Sequence, residues 1–271
     1  MARIHLISGE KGGVGKSFTA RVLAQYFIDQ KMPFIGFDSD QSHSTFSRFY
    51  AEFAAPVKVE NFESLDEILA RAEQQPDQDI IVDLAAQTTK YLQAWIGESD
   101  LFAVLKAIDA QLYWWHVMDD GADSARLLQD LLVAFKGAPL QLVVVKNMGR
   151  AHNFSLFDAS KISQAAQERK ALFFTLPELS ANLAQKIDFY NFSFWAAANN
   201  TKAMSTVERQ RVKVWLQNCY TKFARFLKPL ASSSEPSQPE KGLPETSQPD
   251  SSQSEQGQPA PSQIAANQPL Q

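Results

Sequence analysis

The sequence has little of what marks a secreted, membrane-spanning or metal-clustering chain. One cysteine, Cys219, stands among 271 residues. It offers no disulfide framework, fits a reducing compartment, and reads as a small buried hydrophobe. No apolar run approaches the roughly 20 residues that a membrane-spanning helix needs. The apolar start of the chain is too short for a secretion signal, so a cytoplasmic location is expected. The four histidines, His5, His43, His116 and His152, fall at no metal-ligating spacing. Charge of one sign is also scarce, with a net of −4. All of it sits in residues 231–271, where Glu235, Glu240, Glu245, Asp250 and Glu255 are balanced only by Lys241. This segment is rich in Ser, Gln and Pro and cannot bury enough apolar surface to offset its ordering entropy. A disordered acidic tail over 229–271 is therefore expected.

With 45% hydrophobic residues, the rest of the chain can build a sizeable core. Short apolar runs at 3–8, 33–38, 79–84, 101–108, 141–145 and 171–175 read as buried strands. Residues 51–56 read as a loop, with a short edge strand at 57–59. Helical patterns lie at 18–30, 64–74, 88–97, 122–135 and 158–170. Ser64 with Glu67 three residues on reads as a capping box. The longest helical pattern, 201–228, repeats Val212, Trp215, Leu216, Cys219, Phe223, Phe226 and Leu227 on one face. Strands alternating with helices predict an α/β fold, a doubly wound and mostly parallel sheet over residues 1–228. Trp114-Trp115 is expected in the core.

The chemistry starts at Glu10-Lys11-Gly12-Gly13-Val14-Gly15-Lys16-Ser17. Strand, glycine-rich turn and helix are the context of a phosphate-binding loop. Glycines let backbone N–H groups turn inward toward an anion. Lys16 can reach the β- and γ-phosphates of a nucleotide, and the Ser17 hydroxyl can ligate Mg²⁺. A nucleotide triphosphatase also needs further metal ligation and a group that positions water. Asp83, closing the run Ile80-Ile81-Val82, is the Walker B candidate and would hold Mg²⁺ through water. Asp38-Ser39-Asp40 closes another strand and also reads as a helix cap.

Lys-Gly-Gly-x-Gly-Lys-Ser, as it stands at residues 11–17, resembles the deviant Walker A loop of the ParA/MinD family of P-loop ATPases. The resemblance covers residues 1–200. It implies ATP and Mg²⁺ as cofactors, a bacterial-type protein, and an ATP-sandwiched homodimer. In that dimer Lys11 would act in trans on the partner's nucleotide. It assigns Asp40 to supporting the catalytic water. Loop contacts to the nucleotide fall on Gly12, Gly13, Val14, Gly15, Lys16, Ser17 and Phe18. Base contacts fall on Asn147, after the strand 142–145, and on Pro177; both also read as turn residues. Phe18 stands where a threonine is usual, the switch II segment reads Asp83-Leu84-Ala85-Ala86-Gln87, and the switch I element Asp38-Ser39-Asp40 is followed by Gln41-Ser42-His43-Ser44-Thr45-Phe46 without the usual proline, leaving His43 as the one histidine beside a site segment. These departures resemble the plasmid-borne StbB/TraL-type branch and leave the hydrolysis rate open.

Residues 202–228 carry seven basic side chains against Glu208 alone. Lys202, Arg209 and Lys213 project to one side of a helix, and Arg211, Lys222 and Arg225 to another. They could contact DNA phosphates without reading sequence, or snorkel around a packed helix. The expected function is an ATP-binding, slowly hydrolysing dimerisation switch that positions or segregates DNA, stimulated by an unidentified adaptor protein. The alternatives are a spatial regulator of a membrane-bound machine, touching the membrane peripherally, and a small-molecule phosphotransferase of the same superclass.

Overall fold

The computed structural model describes residues 1–40 and 44–228. The tail expected over 229–271, and His43 beside switch I, lie outside the described residues. Among the described residues seven strands form one sheet in the order β3-β2-β4-β1-β5-β6-β7, every pair parallel. Strand β1 is Ala2–Ser8, β2 Phe34–Asp38, β3 Ala54–Pro56, β4 Asp79–Asp83, β5 Ala110–Met118, β6 Gln141–Asn147 and β7 Leu172–Leu176. The doubly wound α/β fold read from the sequence is thus the observed one.

Eleven helices among the described residues cover both faces, because parallel strands need crossovers and bury both their sides. On one face lie α1 (Lys16–Asp29), α2 (Thr45–Phe49), α9 (Ala181–Phe189), α10 (Phe194–Asn199) and α11 (Thr206–Phe223). On the other lie α3 (Phe62–Gln74), α4 (Thr89–Glu98), α5 (Leu101–Ala107), α6 (Ala122–Ala134), α7 (Ser155–Asp158) and α8 (Lys161–Glu168). Successive strand side chains point to opposite faces. Trp114 therefore packs on Phe135 in one layer, and Trp115 meets Phe174 and Phe223 in the other. Both tryptophans are fully buried, in the core as expected.

Four local readings change. Residues 101–108 form helix α5 and not a strand. Leu101 and Leu105 are buried four residues apart, a helical spacing that an apolar run broken only by Lys106 hides. The strand follows at β5, in the more polar run with the aromatic residues Tyr113, Trp114 and Trp115. The edge strand is β3, inside the presumed loop 51–56, and residues 57–59 are outside it. Helix α3 starts two residues early, capped by Asn61, which accepts from the Ser64 N–H at 2.6 Å. The long pattern 201–228 gives an 18-residue helix that starts at Thr206 behind a complete Ser205/Glu208 capping box. Helices α9 and α10 had no sequence reading of their own.

The strand register sets the site. Asp38 of β2 pairs with Asp83 of β4, which pairs with Ile7 of β1. Carboxylates thus reach the C-terminal edge of the sheet beside the glycine loop that leaves β1. Strand order reverses about β1, where open α/β sheets leave a ligand crevice. At the opposite end a buried network closes the sheet. Arg3 donates twice to Asp79 at 2.6 and 2.7 Å, and His5 joins Asp79 at 3.1 Å. Arg3 also donates to the Lys228 carbonyl and Tyr26 to that of Leu227, at 2.7 and 3.0 Å, fixing the chain after α11.

Candidate functional site

The loop between β1 and α1 carries Gly13 and Gly15 with left-handed backbones, φ 78° and 100°. A side chain at either is strained. At Gly15 the Cβ would also stand 2.3 Å from the Asn147 amide nitrogen. Asn147 is buried at the end of β6, where it donates to the Val14 carbonyl at 2.7 Å and accepts from the Gly149 N–H at 3.0 Å. The amide therefore ties the glycine loop to the turn after β6, and only its second N–H and second lone pair stay free for a ligand. Gly12 and Gly13 have open space at the Cβ position.

Lys16 opens α1 and is buried, its ammonium donating to the Lys11 carbonyl at 3.3 Å. Burial holds its pKa below the ordinary lysine value, opposed by the carboxylates of Asp83, Glu10 and Asp40. Ser17 follows beside Asp83. Asp83 is fully buried, and neither carboxylate oxygen has a hydrogen-bond partner of good geometry. Burial pushes its pKa up to about 8 and the nearby Asp38 and Asp40 charges add to the rise, while Ser17 and Lys16 oppose it. A buried carboxylate without a partner is costly. It is the kind of oxygen donor a hard divalent cation satisfies, directly or through bound water. Ser17 and Asp83 therefore fit Mg²⁺.

Asp38 has a different task from its neighbours. Its Oδ2 accepts from Phe46 N, Ser47 N and Ser47 Oγ at 3.0, 2.9 and 2.9 Å, and its Oδ1 from Asp40 N at 3.0 Å. It organises the first turn of α2, a negative charge at a helix start. Asp40 lies close enough to Lys16 and Asp83 to act on both charges.

Three connections escaped the sequence reading. Ser39 Oγ accepts from the Ala85 N–H at 2.8 Å, joining the segment after β2 to that after β4. Glu10 accepts from the Thr89 N–H at 2.8 Å, capping α4 from the glycine loop. Lys11 is paired within its own chain, 2.6 Å from Asp119 at the end of β5. Asp119 is held in turn by Ser124 Oγ at 2.6 Å and Gly121 N at 3.1 Å. The pairing raises the Lys11 pKa. The available signal was position: an acid at the end of each of β2, β4 and β5.

Beside the loop a cavity of about 550 Å³ is lined by Gly15, Phe18, Asn147, Arg150, Pro177, Glu178, Asp188 and Phe189, among others. The geometry thus brings Phe18, Asn147 and Pro177 together next to the phosphate loop. Phe18 also packs edge-on against Phe194 and Trp215, so it anchors α10 and α11 to α1.

The basic residues divide. Lys222 is half-buried and donates to the Thr175 carbonyl at 2.6 Å. Arg209 donates to the Met204 carbonyl at 2.7 Å. Arg211, Lys213, Arg225 and Lys202 are exposed; Lys202 precedes the helix and Arg225 follows it, so the helical projection includes neither. Glu208, the acid among them, is bound by Lys186 at 2.9 Å. Cys219 is buried, and its thiol is pushed up to about 12 by that burial. No helix among the described residues is long and apolar enough to cross a membrane.

No known family profile matches the chain. The chain is 26% identical over 187 residues to Protein MobD of Acidithiobacillus ferrooxidans, covering 68% of this chain and 81% of that one. It is 27% identical over 129 residues to Protein TraL of Escherichia coli, covering 45% of this chain and 52% of that one. Among solved structures, MinD cell division protein of Aquifex aeolicus aligns with a TM-score of 0.47 at 14% identity, over 85% of this chain and 100% of that one. The resemblance to the ParA/MinD family and its TraL-type branch, read from residues 11–17 and the switch segments, stands beside these similarities.

Proposed function

We propose that this chain is an ATP-binding and slowly hydrolysing dimerisation switch that positions or segregates DNA in plasmid partition or mobilisation. One observation carries the reading: a lysine-bearing glycine loop and Ser17 lie beside a fully buried carboxylate, Asp83, whose oxygens have no hydrogen-bond partner of good geometry. The similarity to MobD and TraL supports the mobile-element side of it.

In this reading the loop amides and Lys16 hold the β- and γ-phosphates. Ser17 and Asp83 would hold Mg²⁺, which would supply positive charge beside the transferred phosphoryl group. Asp40 supports the attacking water. Lys11 leaves Asp119 and places its ammonium on the partner's phosphates, a fixed positive charge where negative charge develops. Asn147 and Pro177 flank the base. Ser39 and Glu10 connect the three loops, so a change at the γ-phosphate reaches α4 through short hydrogen bonds. Exposed Arg211, Lys213 and Arg225, with Lys202, supply phosphate contacts to DNA.

The test combines ATP binding with DNA retention. Asp40→Ala with ATP and Mg²⁺ is expected to retain duplex DNA, with retention falling steeply as salt rises. The Arg211→Glu/Lys213→Glu/Arg225→Glu form is expected to lose DNA while keeping ATP binding. Undiminished retention by that triple variant would remove α11 and the turn that follows it from the DNA contact.

A further inference from the structure

The cavity beside the phosphate loop contains a carboxylate held by an unusual partner. Asp188 lies near the end of α9 and lines the cavity. Its side chain is 54% exposed, and its Oδ1 accepts from Arg21 Nη1 at 2.8 Å. The Arg21 side chain is only 2% exposed. Its guanidinium lies over the Phe49 ring, 3.4 Å from the centroid, and its Nε and Nη2 have no hydrogen-bond partner. A buried guanidinium with most of its donors unmet is costly, and a buried ion pair is weak ground for stability. The pair does fix one carboxylate at the cavity wall. The other acid there, Glu178, is exposed.

We infer that Asp188, positioned by Arg21, is a binding residue for the nucleoside half of the nucleotide. An ionised carboxylate only accepts hydrogen bonds. The donors a nucleoside offers are its ribose hydroxyls and, on adenine, the exocyclic amino group. Phosphate, which has no such donor and is negative, is repelled. Asp188 thereby selects a complete nucleotide over free polyphosphate, and Arg21 carries that selection back to Phe49 of α2, the helix that Asp38 caps. The inference rests on the proposed ATP site and adds a contact from α9, outside the glycine loop and the strand ends.

The test is binding of ATP, 2′,3′-dideoxy-ATP, purine riboside triphosphate and inorganic tripolyphosphate to the full chain and to Asp188→Ala. A charge-assisted hydrogen bond predicts that the variant binds ATP about ten- to a hundredfold more weakly. Tripolyphosphate binding is expected to stay level. The penalty should vanish for the analogue that lacks the contacted donor: the dideoxy form if the ribose is read, the purine riboside form if the amino group is. The Arg21→Met/Asp188→Ala form removes the buried charge with its partner and is expected to fold and show the same split. Unchanged ATP affinity in both variants, or equal loss of ATP and tripolyphosphate, would overturn the inference. A wild type that binds neither ligand would instead count against the phosphate-loop reading.

Discussion

Asn147 spends one amide hydrogen on Val14 and one lone pair on Gly149, so its first effect is on the shape of the phosphate loop. Asn147→Asp keeps the acceptor but sets a carboxylate against the Val14 carbonyl. It is expected to weaken tripolyphosphate and ATP alike, by about tenfold, the size of one lost buried hydrogen bond. Titration calorimetry with both ligands checks this; loss confined to ATP would make Asn147 purely a base contact. Lys11 predicts the opposite pattern. Its own-chain partner is Asp119, away from the loop amides, so Lys11→Ala is expected to leave ATP affinity of the monomer within about twofold and to lower turnover by a hundredfold or more, the range of a transition-state donor. At this scale the sequence was legible where a residue's task is set by its neighbours in the chain, as in Lys16 and Ser17. Asp119, Glu10 and Asp188 act through partners 108, 79 and 167 positions away, and no local pattern encodes that.

Among the elements, α11 is the best specified. Ser205 and Glu208 satisfy each other's backbone N–H groups, and Val212, Trp215, Leu216, Cys219 and Phe223 bury one face. Ser205→Ala is expected to cost about 1 kcal/mol by loss of the cap, read as a shift in urea midpoint at constant slope. Trp114→Ala in β5 removes a fully buried ring and is expected to cost about 3–5 kcal/mol. Amphipathic spacing made α11 visible in the sequence. The same kind of signal was too short in α5, where seven residues give two turns. β5 was masked by Gln111 and His116 within it, although parallel strands in the centre of a sheet tolerate polar residues that find partners, as His116 does with the Ser124 carbonyl at 3.1 Å.

For the whole molecule, buried His116 couples stability to pH. Burial pushes its pKa down to about 4, below the ordinary 6.5 of the unfolded chain. Between these values the unfolded state binds a proton that the folded state refuses, so stability falls as pH drops. The contribution is up to about 1.4 kcal/mol per pH unit, about 2 kcal/mol by pH 5. His116→Met is expected to flatten the profile by that slope, whatever its stability at pH 7. Equal slopes from pH 7 to 5 in urea unfolding would show that His116 titrates normally. The sheet itself was legible, since apolar runs, terminal acids and the glycine loop all point to one edge. The order of the strands about β1 places Asp83 against both Ile7 and Asp38, and that proximity is what turns separate motifs into one site.

The most direct measurement is solution mass by light scattering, with ADP and then with ATP and Mg²⁺, on wild type, Asp40→Ala and Lys16→Ala. The account predicts a monomer with ADP, a dimer with ATP that Asp40→Ala traps, and no dimer for Lys16→Ala. An Asp40→Ala protein that binds ATP and stays a monomer would contradict it.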